Sequence, residues 1–334
     1  MHTCVAHCRF LTTLIVDTVD LMLPVRELLR CNPNLQEVRF CSFSTDQLAL
    51  FAEEACPQIK TLRIEDCVET QTFPWHAFTG PALESLTLLS LHWLVGTDIT
   101  ALTQRCANLR WINTTDTNLT DQQLCLLAES CQLLTHFDIT NNTLVTDSGI
   151  LGVVLKLPLL QHMELGGCQG LTKLSLEHIQ VHCASRLTGL AVDIPSSNAL
   201  AAFMRLVQCC KMFVHADVYA PPNIFSLKEL EVCIATMSNV RTMALHGDFV
   251  EDAALCLVGK YCARLERLRM SSEELNLSYA PLALTKGCPK LKLVVVTNMQ
   301  DIGLCAVNLW KYLRPQLRFS TSFTSDTFLQ LSTM

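Results

Sequence analysis

One phrase, repeated about thirteen times, constrains this chain more than any other feature. It reads C-x-x-L-x-x-L-x-(L/I/V), with a small apolar residue in place of the cysteine in some copies. Its first aliphatic position falls at Leu11, Leu35, Ile59, Leu83, Leu109, Leu134, Leu160, Leu187, Phe213, Val240, Leu265, Leu291 and Leu317, a return every 24–27 residues from end to end. A single copy is too short to bury its own apolar face, so copies must stack on one another. A period of this length with leucines at this spacing is that of a leucine-rich repeat.

Each copy has two halves with different hydrophobic periods. Around Leu62 and Ile64 the apolar residues alternate with Thr61, Arg63 and Glu65, the period of two that a half-buried strand shows. From Leu119 to Cys131 the apolar residues are Leu124, Leu127, Ala128 and Cys131, which is helical spacing. Thr-Asp pairs at 45–46, 97–98, 120–121 and 146–147 precede several such helices, where a short oxygen-bearing side chain caps free backbone N–H groups. The expected fold is therefore α/β, a leucine-rich repeat solenoid of about 13 repeats shaped as a horseshoe, with a concave parallel sheet and convex helices. The unbroken cadence predicts one solenoid domain over 1–334. Its weakest stretch, 193–226, holds Pro195, Pro221 and Pro222 and is expected to form longer strand-to-helix loops.

Half of the residues are hydrophobic and 17% are charged, which suits a long continuous core rather than a disordered chain. The net charge of −6 comes without Lys/Arg clusters, so a nucleic-acid partner is not expected. No apolar run reaches the ~18 residues of a spanning helix, and a membrane partner is not expected either. The short apolar stretch after Arg9 already obeys the repeat and is not followed by a small-residue cleavage site, which argues against a signal peptide.

There are eighteen cysteines, and nine of them recur three or four residues before an anchor: Cys8, Cys31, Cys56, Cys106, Cys131, Cys183, Cys210, Cys262 and Cys288. A residue that recurs at one structural position fills one core slot, where free cysteine acts as a small hydrophobe. No C-x-x-C pair suggests zinc or a redox dithiol. Reduced thiols place the expected compartment in the cytoplasm, the nucleus or both.

Units such as "LTDQQLCLLAESCQLLTHFDI" and "CPQIKTLRIEDC" resemble the cysteine-containing repeats of F-box/leucine-rich-repeat proteins, the substrate receptors of SCF-type ubiquitin ligases. The family's further Cys/Asn position after the strand is matched by Cys67, Cys168 and Asn142. The resemblance implies a substrate-recognition role in ubiquitin-dependent degradation, with a Skp-type adaptor as a partner only if an F-box belongs to the protein. In this chain the repeats begin by Cys8. "LPVRELL", from Leu23 to Leu29, looks like the opening of an F-box yet falls where the first helix of the cadence is expected. The alternatives are a fragment or isoform of a receptor, or an F-box-less repeat protein acting as a stand-alone scaffold or inhibitor.

The strand residues that alternate with the core line the expected concave face. They are Glu37 and Arg39; Thr61, Arg63 and Glu65; Trp111 and Asn113; His136 and Asp138; His162 and Glu164; Gly189 and Ala191; His215, Asp217 and Tyr219; His246; Arg267 and Arg269; and Leu293 and Val295. Large aromatics and arginines on a rigid sheet suit a protein-binding surface. A His-x-(Asp/Glu) pair occurs three times, at His136/Asp138, His162/Glu164 and His215/Asp217. Adjacent strands lie about 4.8 Å apart, so the first two pairs can converge. Such a set suits a divalent cation or a pH-sensitive contact, but mutual hydrogen bonding on a solvated face is expected. His178 and His182 have i, i+4 spacing but flank Ile179 and Cys183 and are expected to be plain surface residues. No Gly-rich phosphate loop, G-x-S-x-G elbow or H-E-x-x-H motif is present, so neither catalysis nor a cofactor is expected.

Overall fold

A computed structural model describes residues 8–17, 22–44, 58–68, 75–92, 94, 96–272, 279–297, 312–316 and 318–320. It divides into two compact units, Met1–Leu171 and Thr172–Met334. The described residues of the first hold seven strands: β1 (Thr13–Val16), β2 (Glu37–Cys41), β3 (Thr61–Glu65), β4 (Ser85–Leu89), β5 (Trp111–Asn113), β6 (His136–Asp138) and β7 (His162–Glu164). Five helices alternate with them: α1 (Met22–Cys31), α2 (Trp75–Phe78), α3 (Gly96–Thr103), α4 (Asp121–Ser130) and α5 (Asp147–Lys156). The second unit has α6 (Lys173–Cys183), α7 (Ser197–Cys209), α8 (Leu227–Thr236), α9 (Asp252–Tyr261) and α10 (Ala280–Gly287). Its strands are β8 (Gly189–Asp193), β9 (His215–Tyr219), β10 (Thr242–His246), β11 (Arg267–Ser271), β12 (Leu293–Thr297) and β13 (Arg318–Ser320). The expected first helix over Leu23–Leu29 is thus helical, as part of α1.

Within each unit every strand pairs in parallel with the next, at matching repeat positions, for example Trp111 beside His136 and Arg267 beside Leu293. One backbone motif holds this register. The carbonyl of the residue just before a strand accepts two N–H groups from the following repeat. Glu84 O accepts from Arg110 N at 2.8 Å and Trp111 N at 3.0 Å, and Thr135 O from Gln161 N and His162 N at 2.8 and 3.0 Å. Arg241 O in the second unit does the same with Glu266 N and Arg267 N, at 2.8 and 3.0 Å. The motif has no side-chain signature, so it is invisible in sequence.

The anchors from Leu35 to Leu291 are all buried, and Leu134, Leu160 and Leu187 are wholly inaccessible. Leu11 is half-buried, while Leu317 lies outside the described residues. Six of the nine slot cysteines, Cys106, Cys131, Cys183, Cys210, Cys262 and Cys288, are buried and unbridged. Cys8 and Cys31 are half-buried, and Cys56 lies outside the described residues. Burial pushes the thiols of Cys131, Cys210 and Cys262 up to about 12, so they stay protonated. The second Cys/Asn position is structural as well. Cys168 Sγ donates to Ile139 O at 3.1 Å and Asn142 Nδ2 to Thr114 O at 2.7 Å, each tying a loop to the preceding repeat.

The Thr-Asp pairs divide their work. Thr120 caps α4 in a reciprocal box with Gln123, whose Oε1 accepts from Thr120 N at 2.7 Å. Asp121 instead reaches the next repeat, accepting from Thr146 N at 2.8 Å and Thr146 Oγ1 at 2.6 Å. Asp252, also at the start of its helix, takes the N–H groups of Tyr279 and Ala280 in the same way. Asp98 accepts the Trp75 indole N–H at 2.8 Å from the repeat before. The pair at 45–46 lies outside the described residues. One loop expectation fails: only 194–196 separate β8 from α7, because the strand runs on to Asp193 and Ser196 caps the helix at once by accepting from Ala199 N. The connection holding Pro221 and Pro222 spans 220–226.

Because Leu134 is wholly buried, Leu134→Asp would bury a charge with no partner. A loss of about 3 kcal/mol or more is expected, with cooperative unfolding well beyond one repeat. Thermal circular dichroism checks this; unchanged melting would show Leu134 to be outside the core.

Candidate functional site

The alternate residues of the strands face away from the buried set, as the period of two requires, but this face is far less solvated than the sequence implies. In the first unit, Ser85, Trp111, His136 and His162 form one row across β4–β7, and Thr87, Asn113, Asp138 and Glu164 form the next. The upper row is a stack. The Trp111 and His136 rings lie 4.4 Å apart and 20° from parallel, and the His136 and His162 rings 5.5 Å apart and 28° from parallel. Strands spaced at about 4.8 Å hold flat rings at stacking distance with no further adjustment.

The lower row is a chain of polar contacts. Asn113 Nδ2 donates to Asp138 Oδ2 at 2.6 Å and Thr140 N to Asp138 Oδ1 at 2.9 Å, while His162 Nε2 meets Glu164 Oε1 at 3.3 Å. His136 Nδ1 pairs with Thr135 Oγ1 at 2.9 Å. The sequence-identified His136, Asp138, His162 and Glu164 thus converge, packed in two adjacent rows. Asn113, Asp138 and His162 are buried, at 8, 7 and 6% exposure, which corrects the expectation of a solvated face. The physical reason is lateral shielding by the stack. Burial, reinforced by the negative charge of Glu164 directly across the strand, pushes the Asp138 carboxyl up to about 8 against the pull of the Thr140 hydrogen bond.

Arg39, Arg63 and Glu65 gather on β2 and β3. Glu65 accepts from Arg39 Nη2 at 2.9 Å and is paired with Arg63 Nε, so one carboxylate serves two guanidinium groups. Burial and the charge of Arg39 lower Arg63 to about 10, which leaves it charged at neutral pH. In the second unit Asp217 is paired diagonally with His246 Nε2, at 3.1 Å. Position-by-position matching sets Ala244, not His246, beside Asp217, so the diagonal is not legible from the repeat alignment. Tyr219 is about half exposed, whereas Arg267 and Arg269 are half-buried on β11. Gly189 is buried and Ala191 half-buried, so the shallow gap expected there is partly filled. Among the described residues no group of three or more His, Cys, Asp or Glu side chains is placed to hold a metal ion. His178 and His182 are partly exposed beside the buried Ile179 and Cys183.

No family model matches the chain, and no curated protein is significantly similar to it. Among solved structures, a chain of the crystal structure of the Rad7 and Elc1 complex from yeast superposes with a TM-score of 0.61. The match covers 92% of this chain and 80% of that one, at 13% identity. The fold is a leucine-rich repeat solenoid. At this identity the likeness concerns the solenoid fold alone, and the ring and carboxyl rows of the face are properties of this chain's own residues.

The Asp138 carboxyl has a definite signature. Its folded value, about 8, stands above the unfolded one, about 3.9, so the protonated form favours the fold. Its contribution is full below the unfolded value and is lost as pH rises through about 8. Asp138→Asn removes that titration. The variant is expected to lose less melting temperature than the parent between these two values, as followed by differential scanning fluorimetry. Parallel curves would contradict the assignment.

Proposed function

We propose that the solenoid is a protein-recognition module that binds through the sheet face opposite its helices, with no catalytic step of its own. The observation behind this reading is the face itself, where aromatic and arginine side chains are held at fixed spacing by the backbone ladder within each unit. Ordering such side chains in advance lowers the entropy lost on binding, and aromatic and arginine residues dominate the energetics of protein interfaces. The structural neighbour comes from a complex of two proteins, which agrees with a repeat scaffold used for association.

The finer reading follows the repeat subtype. The cysteine-containing units resemble those of F-box/leucine-rich-repeat receptors, and we assign the chain the corresponding task of holding a protein substrate for ubiquitination by associated factors. A Skp-type adaptor enters only through an F-box, which the repeats themselves do not supply. Fifteen described cysteines are free, most of them sunk in the core, which supports folding in a reducing compartment such as the cytoplasm or nucleus. Among the described residues no helix is long and apolar enough to cross a membrane.

The test is affinity capture followed by mass spectrometry, comparing Trp111→Ala and Tyr219→Ala with Glu129→Ala. Glu129 lies on α4, paired with Lys156 of α5, away from the sheet face. The face variants are expected to lose partners at a cost of about 1–2 kcal/mol each while keeping their melting temperature within a few degrees, and the control to keep its partners. Loss confined to the control would move recognition to the helices. Ubiquitin-ligase components among the captured proteins bear on the finer reading.

A further inference from the structure

The stack of rings on the sheet face of the first unit stops at Trp111. On one side the indole lies against His136, 4.4 Å away. On the other, the row continues through Ser85 of β4 and Thr61 of β3, neither of which carries a ring. Trp111 has no second ring contact, and its indole N–H meets no acceptor, among the described residues. Trp111, Ser85 and Thr61 are each half-buried, so the position beside the indole stays accessible rather than filled by the fold.

Spacing and charge restrict what can enter. Strands about 4.8 Å apart set Trp111 and His136 at stacking distance, and a flat ring standing over Ser85 would meet the indole's other face at the same interval. The charged residues of β2–β5 are Glu37, Arg39, Arg63 and Glu65, two of each sign, and Glu65 pairs with both arginines. No net charge of these strands therefore draws an ion to the gap, and a guanidinium stacked there would stand one strand from Arg63. The gap is shallow, whereas a free small molecule needs a site that covers most of its surface. A ring carried by a protein segment draws the rest of its contact from the neighbouring face.

We infer that the gap over Ser85 is a docking position for an uncharged aromatic side chain, tyrosine or phenylalanine, borne by a partner protein, which stacks on Trp111 and lengthens the row of rings by one. The inference rests on the recognition reading above and narrows it to a side-chain chemistry and a place. The small residues Ser85 and Thr61 leave the room. The Trp111–His136–His162 stack holds the indole in place before the partner arrives, so little order is lost on binding.

The experiment is selection of a random peptide display library on the full chain, followed by affinity measurement of the enriched peptides by fluorescence anisotropy. The peptides are expected to share one tyrosine or phenylalanine, whose replacement by leucine keeps apolar area but not the ring and weakens binding about fivefold or more. Trp111→Leu is expected to weaken it as much. Ser85→Phe, which fills the gap from within, is expected to do the same while Ser85→Ala keeps the affinity; circular dichroism and melting temperature separate lost binding from lost fold. Enriched peptides with no shared aromatic residue or with arginine in its place, or affinities indifferent to Trp111→Leu or to a folded Ser85→Phe, overturn the inference. If ring-free peptides still lose binding in Trp111→Ala or Tyr219→Ala, the sheet face remains the recognition surface and only the ring position fails. If no face variant matters, the recognition reading fails too.

Discussion

Everything on the sheet face depends on the carbonyl that precedes each strand and accepts two N–H groups from the repeat that follows. Such a bifurcated contact admits one register, because a slip by a single residue would strand both donors and turn every buried leucine to the opposite face. With the register set, side chains at equivalent repeat positions stand in straight rows, one strand spacing apart. The Trp111–His136–His162 stack and the Asn113–Asp138–Glu164 row are consequences of that alignment, and so is the pairing of Asp217 with His246 one row further along the next strand.

Rows also explain why ionisable groups on the face behave unlike surface groups. Each is flanked on two sides by neighbours at a distance too short for bulk water, so a carboxyl such as Asp138 loses hydration although it points away from the helices. Where opposite charges share a row or a diagonal, as with Arg39, Arg63 and Glu65, the cost is offset inside the sheet. The same lattice of positions also sets the diagonal pair of Asp217 and His246 in the second unit.

The repeat, its α/β composition and its buried positions were legible because a leucine recurring every 24–27 residues reports one structural slot many times over. The cysteines were legible for the same reason. Pairings were not. His136 and Asp138 sit two apart in sequence, yet the imidazole pairs with the hydroxyl of the preceding residue, Thr135, and stacks on Trp111 of the neighbouring strand, contacts that the i, i+2 spacing does not disclose. The Thr-Asp pair reads as a cap, yet Asp121 ties α4 to the next repeat, since a carboxylate at the first helical position can reach outward where the threonine already serves the helix. The loop after Asp193 was misjudged from its proline, although Pro195 fits a short connection that Ser196 closes.

The most direct measurement of the stacked-core register is the labelling rate of two adjacent cysteines. Cys209 ends α7 exposed, while Cys210, the next residue, occupies the recurring core slot with its thiol pushed up to about 12. Under native conditions a thiol reagent read out by peptide mass spectrometry is expected to modify Cys209 quickly and Cys210 slower by about a hundredfold or more, with Cys131 and Cys262 as protected as Cys210. Labelling of Cys210 at the rate of Cys209, or protection of both, would contradict the register on which the core and the sheet face rest.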